Sequence, residues 1–230
     1  MTDPVFPRFE FRLAPEAALL VIDMQPCGVA ADAGLIQAIE AAAPGYTRYL
    51  VERVREIVTP NLRRLAEAFR RARRPVYFTA FASATGDGRD IRTSTIRFRD
   101  RQRRAMTGAS VVLPRSHPAT DVIPELRAGP DDAVLTKTSM DAFVSTPLAA
   151  DLEARRIRSL VVGGVLTDAC VESSARHAAE LGLEVTVVDD ACAAWRPEFH
   201  AQSLASLARY FARVATTDEV LAELDRVASS

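Results

Sequence analysis

The stretch Ala17-Ala18-Leu19-Leu20-Val21-Ile22, closed by Asp23, is six apolar residues ending in an acid. A run of that length without polar alternation is the pattern of a strand covered on both faces, with Asp23 marking its exit at the sheet edge. Five more short apolar runs follow, Pro75 to Phe81, Ala133 to Thr136, Ser159 to Gly163, Val185 to Val188 and Val214 to Thr216, each read as a strand. Helical patterns separate them. Tyr46 to Arg73 carries Leu50, Val54, Ile57, Leu62, Leu65 and Phe69 at helical spacing, with Thr59-Pro60 as a restart. Thr146-Pro147 and Pro197 open helices, Gly182 closes one after Leu181, and Thr217 caps the last. Strands alternating with helices imply parallel pairing through right-handed crossovers. The predicted class is α/β, a three-layer α/β/α fold with a six-stranded, mainly parallel, Rossmann-like sheet.

At 230 residues and 48% apolar content the chain is long enough for one sizeable core, so 1–230 is read as a single domain. The segment 82–130 exceeds an ordinary connection and is read as an insertion or lid. Twenty-nine basic against thirty acidic residues leave no global field to attract nucleic acid or an anionic membrane. Ala17–Ile22 is too short to span a bilayer, and the start, with Asp3, Arg8, Glu10 and Arg12, does not resemble a signal peptide. A cytoplasmic protein acting on a small molecule is expected. Cys27, Cys170 and Cys192 are odd in number and far apart, hence thiols rather than bridges or zinc ligands.

In open parallel sheets ligands gather beyond the carboxyl ends of the strands. Those ends carry Asp23, Thr79 to Phe81, Lys137, and Gly164 to Cys170. A carboxylate, an ammonium and a thiol at one rim suit acyl transfer. Cys170, read as lying in the first turn of a helix, would have its thiolate favoured by the helix dipole and by Lys137. Asp23 would take the thiol proton and return it to a leaving amine. Each residue also has a plain alternative: a buried cysteine, a helix-capping aspartate, a solvated lysine.

The blocks Leu19 to Gln25 (LLVIDMQ), Lys137 to Phe143 (KTSMDAF), Gly163 to Val171 (GGVLTDACV) and Val188 to Ala193 (VDDACA) resemble, in order and spacing, the isochorismatase-like cysteine hydrolases. That family includes nicotinamidases, N-carbamoylsarcosine amidohydrolase and ureidoacrylate amidohydrolases. The resemblance implies Asp23, Lys137 and Cys170 as catalytic residues, a cis peptide between Val165 and Leu166, and an oxyanion hole from the backbone N–H groups of Leu166 and Cys170. It implies a carbon-nitrogen hydrolase, cleaving an amide or ureido bond through a thioester. It also implies no cofactor and a homodimer or homotetramer. Gln25, Phe81, Phe143 and Trp195 are candidates for substrate contact. Asp141 stands where the family has serine. The stretch Phe81 to Ala84 lacks the Asp-x-His with which nicotinamidases bind a metal, so no metal is expected. The alternatives are a vinyl ether hydrolase using Asp23 without Cys170, and a non-catalytic binding scaffold.

Seven arginines lie between Arg89 and Arg104. One of them, Arg92 or Arg97, is a candidate to fork a substrate carboxylate, the others being surface or interface charges. His177 is expected to face solvent, His200 to make a structural hydrogen bond, and Cys192 to sit in the core. Cys27 is read as packing, four residues after Asp23.

Overall fold

The structure, a computed structural model, describes residues 7, 9–110 and 112–228. Asp3 and Arg8 of the charged start lie outside the described residues. Six strands form one sheet: β1 (Ala17–Ile22), β2 (Val76–Phe81), β3 (Ala133–Lys137), β4 (Ser159–Val165), β5 (Glu184–Ala193) and β6 (Arg213–Ala215). Their order is β3-β2-β1-β4-β5-β6, with every neighbouring pair parallel. The order reverses between β1 and β4, the switch point where such sheets open a crevice.

The helices are α1 (Pro26–Val29), α2 (Gly34–Ala42), α3 (Arg48–Arg53), α4 (Thr59–Arg71), α5 (Ser94–Thr107), α6 (Leu148–Ala154), α7 (Glu172–Glu180), α8 (Pro197–Tyr210) and α9 (Thr217–Ala228). The apolar run of β1 serves two cores, because successive side chains point to opposite faces. Ala17, Leu19 and Val21 pack with Leu50, Leu62, Leu65 and Phe69 of α3–α4 and with Val220 and Leu224 of α9. Ala18, Leu20 and Ile22 pack with Leu148 of α6, Ala175 of α7 and Leu207 of α8. Each large aliphatic side chain buried this way contributes about 1.5–3 kcal/mol.

Four expectations change. The chain does not restart at Thr59-Pro60. A π-helical turn, Val54–Val58, links α3 to α4, and Thr59 remains right-handed helical with its N–H donating to the Val54 carbonyl. β5 is ten residues long rather than four. Its register against β4 slips between Val162 and Gly164, so Asp189 and Asp190 fall in an irregularity held by other elements. Arg53 donates to the Asp189 carboxylate and carbonyl, Asn61 to the Asp190 carbonyl, and Thr217 to the Asp190 carboxylate. Thr216 rather than Thr217 caps α9, in a reciprocal pair with Glu219. Finally, the segment 82–130 contains the fourteen-residue helix α5.

That segment is tied to the sheet rim by backbone bonds. Ala82 N–H donates to the Lys137 carbonyl, Arg92 N–H to Thr138, and Ile123 N–H to Met24. It therefore packs beside the strand ends that matter for chemistry.

Candidate active site

Asp23 is the first residue past β1, and its φ of 50° lies in the left-handed region that few non-glycine residues adopt. Thr79 of β2 holds it there. The Asp23 N–H donates to the Thr79 carbonyl and hydroxyl oxygens, both at 3.2 Å, and the Thr79 hydroxyl donates to Asp23 Oδ1 at 2.7 Å. The other carboxylate oxygen faces Lys137 Nζ at 2.7 Å.

Lys137 ends β3, two strands from β1, a lateral separation of roughly 9–10 Å. A lysine stem can reach across that gap where a shorter side chain cannot. Its side chain is fully buried, and the ammonium also donates to the Ser139 carbonyl at 2.9 Å, the Met140 carbonyl at 3.0 Å and Cys170 Sγ at 3.3 Å. The Phe81 ring lies 5.1 Å below the charge.

Cys170 is placed by the end of β4. Gly164 has φ +117°, and a Cβ there would lie 2.1 Å from the Ile22 carbonyl oxygen, so only glycine lets β4 approach β1 this closely. The peptide between Val165 and Leu166 is cis. A π-helical turn, Thr167–Val171, then precedes α7, so Cys170 lies in that turn and not in the first turn of the α-helix. π-Helical turns are rare and concentrate at functional sites.

The thiol is not depressed as the helix-dipole argument expects. Burial pushes it up to about 12; the Lys137 charge opposes this, while Asp23 adds to it through its own charge and side-chain contact. Desolvation disfavours an isolated thiolate more than one cation and a short helix favour it. For Lys137 burial acts to lower the value, but its partners, the Asp23 carboxylate foremost, outweigh it, and the group is raised. Asp23 and Cys170 thus flank one ammonium, the carboxylate oxygen at 2.7 Å and the sulfur at 3.3 Å.

The other candidates separate. Gln25 is buried with its amide taken by backbone: Nε2 donates to the Phe81 and Thr120 carbonyls, and Oε1 accepts from the Phe81 N–H. It braces the β2 end. Phe143 is buried beneath His177, the ring centroids 5.1 Å apart. Trp195 packs against Tyr46, at 6.0 Å, on the α4 side of the sheet, the side to which half-buried Leu166 also belongs. Arg92 is exposed, and Arg97 donates to the Ile91 and Arg92 carbonyls. His177 is partly exposed, as expected, and its Nδ1 stands against the Asp141 carboxylate. His200 Nε2 bonds Asp189 at 2.9 Å and Nδ1 bonds the Thr167 hydroxyl at 2.8 Å. Cys192 is buried within β5, not beyond it, and Cys27 is pushed up to about 12, chiefly by burial.

Two contributors were not singled out from the sequence: Thr79, although it falls in the strand-end stretch nominated there, and Ser174, whose hydroxyl donates to the Cys170 carbonyl at 2.7 Å. Among the described residues no group of three or more His, Cys, Asp or Glu side chains is arranged to hold a metal, and no helix is long and apolar enough to cross a membrane.

Fold and site together define a doubly wound parallel α/β protein with a carboxylate, an ammonium and a thiol gathered at the rim around its switch point. The chain belongs to the isochorismatase family: the isochorismatase domain model matches residues 17–219. It is 36% identical over 113 residues to the uncharacterized isochorismatase family protein YecD of Escherichia coli, covering 48% of this chain and 57% of that one. It is 33% identical over 108 residues to the ureidoacrylate amidohydrolase RutB of Rhizobium rhizogenes, covering 46% and 44%. This chain thus spans about half the length of these curated relatives. A solved structure of a cysteine hydrolase from Pseudomonas syringae pv. phaseolicola superposes with a TM-score of 0.76 at 25% identity, covering 96% of this chain and 98% of that one.

Proposed function

We propose that the protein is a hydrolase that cleaves a carbon-nitrogen bond, amide or ureido, in a small molecule through a thioester on Cys170. The observation that carries this is the position of Lys137 Nζ, 2.7 Å from Asp23 and 3.3 Å from Cys170 Sγ. The names of two relatives, an amidohydrolase and a cysteine hydrolase, support the same reading.

In the proposed cycle Asp23 takes the thiol proton as sulfur attacks the substrate carbonyl, so that no free thiolate need accumulate in a site that disfavours one. The backbone N–H groups of Leu166 and Cys170 receive the oxyanion, each well-placed donor worth roughly 3 kcal/mol. Asp23 then returns the proton to the departing nitrogen, releasing ammonia or an amine. Water, deprotonated by Asp23, hydrolyses the thioester and regenerates the thiol. Lys137 stays charged throughout and holds Asp23 and Cys170 in register. Phe81, beneath the ammonium, would form one wall for the substrate. Assembly as a homodimer or homotetramer belongs to the same reading, and light scattering on the purified protein tests it.

Ammonia release across a panel of small amides, ureido acids and nicotinamide, with the wild type and Cys170→Ala, tests the chemistry. Loss of release in the variant supports the thioester route. Turnover that survives the substitution, or a vinyl ether cleaved equally well by both proteins, overturns it.

A further inference from the structure

The loop that supplies carbonyls to Lys137 is fastened to the helical segment carrying Cys170 at two points. At the inner one, fully buried Ser174 donates to the Cys170 carbonyl at 2.7 Å and accepts from the Ala142 N–H at 3.0 Å. At the outer one, Asp141 accepts the Phe143 N–H at 2.8 Å through Oδ1 and pairs with His177 Nδ1 through Oδ2. Ser174 and His177, three residues apart on α7, share a helix face that meets this loop through Ala142 and Asp141.

Within the loop the hydroxyls of Ser139 and Ser145 add further bonds. Ser139 Oγ bonds the Asp141 carbonyl and Ser145 Oγ, both at 2.7 Å, and Ser145 Oγ accepts the Thr138 N–H at 3.0 Å. The carbonyls of Ser139 and Met140 that aim the ammonium are therefore fixed by the bonds on either side of them. This matters because a lysine stem has four rotatable bonds and no preference of its own for one ammonium position. A displacement of one ångström at reacting groups costs up to about a hundredfold in rate.

We propose that the Asp141–His177 pair, with Ser174, is a positioning clamp that sets the distance between Lys137 and the Cys170 sulfur. Asp141 and His177 are positioning residues, touching no reacting atom. The pair acts on the segment Thr138–Thr146 from outside, where a serine in place of Asp141 would offer no charged partner to His177. As a device for catalysis the clamp rests on the thioester reading above; as a device that holds Lys137 against Cys170 it does not.

The test is the rate at which iodoacetamide alkylates Cys170, followed by peptide mass spectrometry from pH 7 to 10, with melting temperature and steady-state kinetics beside it. His177 is half-exposed, so His177→Ala is expected to fold. Retreat of the ammonium would remove the charge that opposes the rise of the thiol value, so alkylation should slow on the order of tenfold and its profile move to higher pH. The expected kcat falls by a similar factor with KM little changed. His177→Asn, whose amide nitrogen can stand near the place of Nδ1, should recover most of both. A wild-type alkylation profile in His177→Ala, a lower melting temperature with the profile unmoved, or no recovery in His177→Asn would each overturn the clamp. Turnover surviving Cys170→Ala sinks the thioester reading instead, while the alkylation profile still decides the clamp.

Discussion

Cys170 and Cys192 lie near the same ends of neighbouring strands, and burial pushes both thiols up to about 12. Around Cys170 the next influences are an ammonium at 3.3 Å and the Asp23 carboxylate. Around Cys192 they are a backbone bond from Gly164 and then the charges of Arg53, Asp189 and Asp190, with the residue wholly inside β5. Cys170 is the more open of the two. Desolvation is thus common to both and identifies neither as a nucleophile. What separates them is a cation, a proton acceptor and access.

The two cysteines are expected to differ most in activity. Cys170→Ala should lower the hydrolytic rate on the order of 10⁴-fold, as loss of a nucleophile does in a cooperating set, while Cys192→Ala stays within a few-fold. Equal losses in the two variants, read by ammonia release, would erase the distinction.

The next largest effect concerns the cation. Lys137→Met leaves the nearly buried Asp23 carboxylate without its counter-ion and should cost about 3–5 kcal/mol of stability in urea unfolding, as well as activity. A variant as stable as the wild type would show that the pair is not held as tightly as 2.7 Å implies.

Alkaline pH sharpens the contrast further. Each thiol is raised from an ordinary value of 9.0 to about 12 in the folded chain, so the stability it contributes is complete below pH 9 and lost as pH climbs toward 12. Unfolding at pH 8 and pH 10.5 should show a smaller alkaline loss in Cys192→Ala than in the wild type. Iodoacetamide should label Cys170 faster with each step in pH, as the small ionised fraction grows, and leave Cys192 unlabelled until the chain unfolds. Labelling of both at one rate would contradict the difference in access.

The smallest effect lies at the β5 irregularity beside Cys192. Asn61→Ala removes the donor to the Asp190 carbonyl and should cost about 1 kcal/mol in thermal unfolding, with turnover unaltered. A large loss of activity there would mean that the strand irregularity and the site are coupled.

The same contrast explains what the sequence could and could not reveal. β1 and β4 were legible because strands covered on both faces must be apolar throughout. β5 was read short because Asp189 and Asp190 interrupt the apolar run, and the partners that make those acids tolerable, Arg53, Asn61 and Thr217, are distant in sequence. Helix α5 escaped notice because its arginines hide any apolar period. Asp23, Lys137 and Cys170 could be nominated as strand-end residues, whereas their mutual distances depend on a lysine spanning two strands. The rise of the Cys170 thiol was not legible, since a dipole can be inferred from a helix start but burial only from the fold. The pairing of His177 was not legible because its partner Asp141 belongs to another element.

In the proposed cycle sulfur, carboxylate and ammonium act as one unit on a carbonyl. The most direct test is mass spectrometry of the protein quenched in acid during turnover of whichever panel compound releases ammonia fastest. An acyl adduct is expected on the peptide containing Cys170, absent from Cys170→Ala and from Asp23→Asn. Turnover with no adduct in the wild type at any quench time and no loss in Cys170→Ala, or an adduct on Cys27 or Cys192 instead, would contradict it.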